Sequence, residues 1–152
     1  MGMHMSRATI EVITVPAMKG IAPYSSLPDV GFQAVEVMNK AGNFIEPTLG
    51  SFTAAASAEM PADTRIMITN SDNPEAYPIT SFTWIIMYKE QGYADRTRAT
   101  AEATVNAVAW LTGENAQAIA SSVHYAPLPQ KASEQAALVL KGITYEGQPI
   151  MK

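Results

Sequence analysis

The alternation of apolar and polar positions divides the chain into short elements. Arg7 to Val15, RATIEVITV, is β-branched and partly alternating, which predicts a strand. Pro16, Gly20 and Pro23 then break the pattern. Ser25-Ser26-Leu27-Pro28-Asp29 reads as a turn or the start of a short helix. Gln33 to Met38 alternates again and predicts a second strand. Lys40-Ala41-Gly42-Asn43 follows as a hairpin connection, because Gly42 and Asn43 accept positive φ. Phe44 and Ile45 begin the return strand and Pro47 ends it. Thr48 is a good N-cap for a helix over Leu49 to Ala58. Pro61 to Asp63 predicts a loop, and Arg65 to Thr69 a short strand.

The segment Tyr77 to Gln91, YPITSFTWIIMYKEQ, is apolar or β-branched almost throughout. Pro78 bounds it on one side and Lys89-Glu90-Gln91-Gly92 on the other, so Thr80 to Tyr88 reads as a buried central strand. A turn cluster, Asn70-Ser71-Asp72-Asn73-Pro74, precedes it. Thr97 to Thr112 is the longest predicted helix. Its Ala101, Val105, Val108, Ala109 and Thr112 share one face, and Gly113 provides a stop. Asn115 to Ser122 predicts another helix. Tyr125-Ala126-Pro127-Leu128-Pro129 then opens the last one, Gln130 to Lys141, with Ala132, Ala136, Val139 and Leu140 inward and Gly142 after its end. Strands and helices mixed in this way predict an α/β class, with helices packed on a mixed sheet.

Length and charge narrow the classes. The 152 residues suit a single domain, read as residues 7–152. Apolar residues make up 47% and charged ones 16%, with a net charge of −4 and no basic run, so nucleic acid is not expected as a partner. No stretch reaches the ~18 apolar residues that would span a membrane. The absence of cysteine excludes a disulfide scaffold and a thiolate metal site. Met1 to Ser6, MGMHMS, lacks the basic and apolar regions of a signal peptide and reads as residue left by expression.

Catalytic chemistry finds no constellation. His4 and His124 are the only histidines, and their spacing makes no zinc site. No Gly-x-Ser-x-Gly nucleophile motif occurs, so neither an enzyme nor a cofactor is expected. Asn70, Asp72, Asn73 and Glu75 do not follow the roughly twelve-residue calcium-loop pattern and read as a plain turn. Ser25, Ser26, Thr80 and Ser81 are hydroxyl pairs near chain breaks and are the candidate oxyanion ligands. Capping and turn hydrogen bonds are the plainer account of them. Met38, Met67 and Met87 read as core filler, and Trp84 and Trp110 as packing partners.

The order of these pieces resembles the C-terminal portion of the periplasmic phosphate-binding proteins of ABC importers. The resemblance covers roughly residues 20–151. It rests on KAGNFIEPT (Lys40 to Thr48), PADTRIMITN (Pro61 to Asn70), the strand before Gln91, the YAPLP step at Tyr125 and the closing EGQPI (Glu146 to Ile150). It implies part of a type II periplasmic-binding-protein fold, a protein of two lobes longer than this chain. Residues 20–88 would end the second lobe and residues 89–152 supply C-terminal helices of the first. It also implies inorganic phosphate or a similar oxyanion and an importer permease as partners, and a periplasmic or extracellular location. In that family, first-lobe amides and hydroxyls and an Arg-x-Asp-Gly-Ser-Gly-Thr loop hold the phosphate. None of the four arginines here is followed by Asp-Gly-Ser-Gly, so the resembled part is one that does not hold the ligand. Apolar helix faces left without the rest of the first lobe have two alternative covers: the strand Arg7 to Val15 in place of a missing one within the monomer, or, the expectation here, a homodimer that exchanges elements across Tyr77 to Gln91. Two other readings stand beside this one: a ligand-free interaction domain derived from the family, and an enzyme of unrecognised type.

Overall fold

The structure, a computed structural model, describes residues 7–12, 35–123 and 125–151. The expectations for Ser25, Ser26, His4 and His124 lie outside these residues. Strand β1 (Arg7–Val12) pairs antiparallel with β4 (Thr83–Tyr88), Arg7 opposite Tyr88 and Val12 opposite Thr83. Strands β2 (Val37–Met38) and β3 (Phe44–Ile45) form the expected hairpin. Gly42 takes φ +85 at its turn. Helix α1 (Leu49–Ala56) starts at Thr48, whose side chain accepts from the Ser51 N–H while the Ser51 hydroxyl accepts from the Thr48 N–H. Helices α2 (Arg98–Thr112), α3 (Glu114–Ala120) and α4 (Gln130–Lys141) follow, and the pair β5 (Thr144–Tyr145) and β6 (Gln148–Pro149) closes the chain. A parallel bridge joins Glu90 to Thr144 at the end of β4, so antiparallel and parallel pairing both occur. The class is α/β, as the pattern predicts, and it accords with part of a periplasmic-binding-protein fold.

Among the described residues two apolar clusters make up the core. The first packs Phe52 and Ala56 of α1 on Ile68, Tyr77, Phe82, Leu128 and Ala132, with Trp84 half-buried against it. The second packs Val105 and Val108 of α2 on Ala136 and Leu140 of α4 and on Ile143, with Ile85 and Met87 against it. The spacing that predicted the inward faces of α2 and α4 holds: Ala101, Val105, Val108, Thr112, Ala132, Ala136 and Leu140 are all buried. The clusters meet at β4, which gives Trp84 to one and Ile85 and Met87 to the other.

Several expectations need correction. Among the described residues Arg65 to Thr69 joins no ladder; it is held to the following chain by Thr69 Oγ1 donating to the Thr80 carbonyl (3.0 Å) and Asn70 N–H to the Pro78 carbonyl (2.8 Å). The strand expected over Thr80 to Tyr88 begins at Thr83, and it is not buried: Ile86 is 69% exposed. An apolar run places side chains on both faces of a strand, and here only part of one face is covered. Met67 and Met38 are exposed rather than core filler, since neither lies on a covered strand face. Trp110 is 54% exposed, because it lies off the α2 stripe that buries Val105 and Val108.

Candidate functional site

The polar end of the molecule is built around Glu90, Gln91 and Arg96. Gln91 is fully buried. Its backbone N–H donates to the Thr144 carbonyl (2.7 Å), and its side-chain amide donates to the Tyr88 carbonyl. Its Oε1 accepts from Arg96 Nη1 at 2.7 Å. Burying an amide is tolerable because both of its ends are satisfied. Ala94 and Asp95, at φ 49 and 56, turn the chain back in two left-handed steps. The turn lays the Arg96 guanidinium 5.0 Å from the Tyr93 ring centroid. Nη1 also donates to the Tyr93 hydroxyl (2.6 Å) and Nη2 to Thr104 Oγ1 (2.6 Å). The Tyr93 ring meets Tyr88 edge-on, centroids 4.9 Å apart. Among the described residues no carboxylate pairs with Arg96, whereas Arg65 pairs with Asp63 and Arg98 with Glu102.

A cleft of about 350 Å³ opens beside this group. Ile85, Met87 and Val108 form its apolar wall, and Tyr93, Arg96 and Thr104 its polar end. The neighbouring Glu90 carboxylate works differently. It accepts from the N–H groups of Gly92 (2.8 Å), Glu146 (2.8 Å) and Gly147 (3.1 Å) and from the Thr144 hydroxyl (2.8 Å). Desolvation pushes its carboxyl up, but the Gly92 and Gly147 N–H groups, the Thr144 hydroxyl and the Glu146 N–H outweigh that and hold its pKa at about 2. Glu90 is thus a clasp that fixes the β5–β6 turn to the end of β4.

Of the hydroxyls singled out from sequence, Thr80 and Ser81 are described, and neither lines this cleft. Thr80 is buried and donates to the Tyr77 carbonyl at 2.7 Å, and Ser81 is exposed before β4 begins. The acidic turn is held by its own bonds: Asn73 Oδ1 accepts from the Glu75 N–H (2.9 Å), and Asp72 pairs with Lys40. Among the described residues no group of three acidic or histidine side chains is placed to hold a metal. Sequence reasoning missed Arg96, Tyr93, Gln91 and Glu90. The one available signal was Lys89-Glu90-Gln91-Gly92, read only as a stop. It also missed Asn39, buried as the brace of the hairpin: its amide donates to the Pro74 carbonyl (2.8 Å) and its Oδ1 accepts from the Ala41 and Asn43 N–H groups (both 3.1 Å).

Comparison with known proteins places the sequence beside one kind of transport protein. The chain is 34% identical over 102 residues to the phosphate-binding protein PstS of Xylella fastidiosa strain 9a5c, a match covering 65% of this chain and 27% of that protein. It is 30% identical over 100 residues to PstS of Haemophilus influenzae, and 28% identical over 102 residues to PstS of Pasteurella multocida strain Pm70, again 28% of each relative. The resemblance to the phosphate-binding proteins is therefore shown as a similarity of sequence, and the chain spans little more than a quarter of the length of these relatives. No protein-family model matches the chain. Among the described residues no helix is long and apolar enough to cross a membrane.

Proposed function

We propose that this chain is the C-terminal part of the solute-binding component of a phosphate-type ABC importer. The sequence similarity to PstS over 102 residues carries the reading. On it, residues 20–88 end the second lobe and residues 89–152 return to the first, and the meeting of two apolar clusters at β4 supports a crossing at that strand. The part works by closing lobes over an oxyanion, with no covalent step, no enzyme activity and no cofactor. Phosphate and the importer permease are partners of the whole protein, in the periplasm. The anion itself is held by sequence not found here. Arg65 and Arg98 are paired with carboxylates, and Arg96 is braced by neutral groups, so none of the three matches a phosphate loop. Exposed Met67, Ile79 and Ile86 support a further element of the reading, association of two copies.

Two titrations with phosphate test the proposal by calorimetry. The chain alone is expected to show no heat of binding, because charge-assisted hydrogen bonds of about 1.5–3 kcal/mol each are missing. A chimera of Xylella PstS, its matching stretch replaced by this chain, is expected to fold and to bind phosphate. Tight stoichiometric binding by the chain alone, or a folded chimera that binds none, would sink the reading.

A further inference from the structure

We propose that the Arg96 cleft binds a small organic carboxylate with an apolar body, at a site distinct from any phosphate loop. Three observations carry this. The cleft is open space of about 350 Å³, within the range of small-ligand sites. Its wall of Ile85, Met87 and Val108 is apolar, so an apolar group entering it removes hydrocarbon from water on both sides. Its polar end holds one half-buried cation with no carboxylate partner among the described residues.

The donor set selects the charge of the ligand. Gln91, Tyr93, Thr104 and the Thr100 carbonyl hold the guanidinium as neutral acceptors, which orients it without cancelling its charge. The Tyr93 oxygen accepts from Arg96, which leaves its own O–H as a further donor at the polar end of the cleft. One cation and one hydroxyl match a monoanion. A phosphate carries more charge and needs more donors, and the apolar wall penalises its desolvation. The chain's net charge of −4 opposes any anion at long range, but screening over roughly 8–10 Å in ordinary salt confines that effect. Only the local cation then decides.

Nuclear magnetic resonance on the isotope-labelled full chain tests the site, with 3-phenylpropionate as the probe. The acid is expected to shift the signals of Tyr93, Arg96, Thr104 and Val108 saturably. The isosteric 3-phenylpropanamide, which keeps the shape and loses the charge, is expected to bind at least about tenfold more weakly. Inorganic phosphate is expected to leave these signals in place. Because Arg96 also braces Gln91, its replacement can loosen the fold, so Tyr93→Phe is the companion variant: it keeps the ring and should weaken the acid while leaving the amide unchanged. Absence of saturable shifts with the acid overturns the proposal. Equal affinity for the amide overturns it by showing a site for shape alone, and equal shifts with phosphate overturn the choice of a carboxylate.

Discussion

At the scale of single residues, two positions show how backbone and charge are settled locally. Gly42 sits at φ +85, and a Cβ added there would meet nothing within 4 Å. A side chain therefore costs only its left-handed conformation, so Gly42→Ala should lower stability by about 1–2 kcal/mol and Gly42→Asn by less, because Asn tolerates this region. Thermal unfolding of the two variants checks this, and equal losses would show that contacts rather than φ set the cost. Glu90 is the second position. Its folded pKa of about 2 lies below the ordinary 4.5. Depression of a carboxyl means that its contribution is fully present above the ordinary value and is lost as pH falls from about 4.5 toward 2. Glu90→Gln should thus lower the melting temperature at neutral pH and narrow its gap to the parent protein as the solution is acidified through that window. A gap of constant size from pH 7 down to 2 would show that the carboxylate is not the clasp.

At the scale of elements, burial separates the aromatic residues that the sequence treats alike. Phe52 is 1% exposed in α1 and meets Tyr77 edge-on at 5.7 Å, so Phe52→Ala should cost about 3–5 kcal/mol. Trp84 is half-buried, its indole N–H donating to the Thr64 carbonyl at 3.3 Å, and its truncation should cost roughly half of that range. Trp110→Ala, on the exposed side of α2, should stay within about 0.5 kcal/mol. Urea unfolding of the three variants gives the order, and a loss at Trp110 as large as at Phe52 would contradict it. The same contrast shows what was legible beforehand. Helical period alone located Val105, Val108, Ala136 and Leu140, because a stripe every three to four residues has one physical meaning. Arg65 to Thr69 has strand-forming residues yet, among the described residues, joins no ladder, since β propensity needs a partner that sequence does not name. The Arg96 site was illegible for a related reason. It depends on left-handed turns at Ala94 and Asp95, and neither is the glycine that would have announced them.

At the scale of the whole molecule, the question is what covers β4. Among the described residues its ladder is with β1, and the exposed Ile86 and Met67 share an apolar groove with Trp84. An exposed apolar patch of this kind attracts another chain. On the importer reading, the remainder of the protein would provide that cover, and this chain spans little more than a quarter of the length of its PstS relatives. In isolation the cheapest substitute is a second copy, since a two-fold contact buries the same patch on both partners. The chain by itself is therefore expected to form a dimer at micromolar concentration, and Ile86→Lys to shift it toward monomer without loss of helix content. Light scattering with small-angle scattering measures both. A compact monomer of the parent protein, with a radius of gyration near ~15 Å as expected for this length, would rule the dimer out.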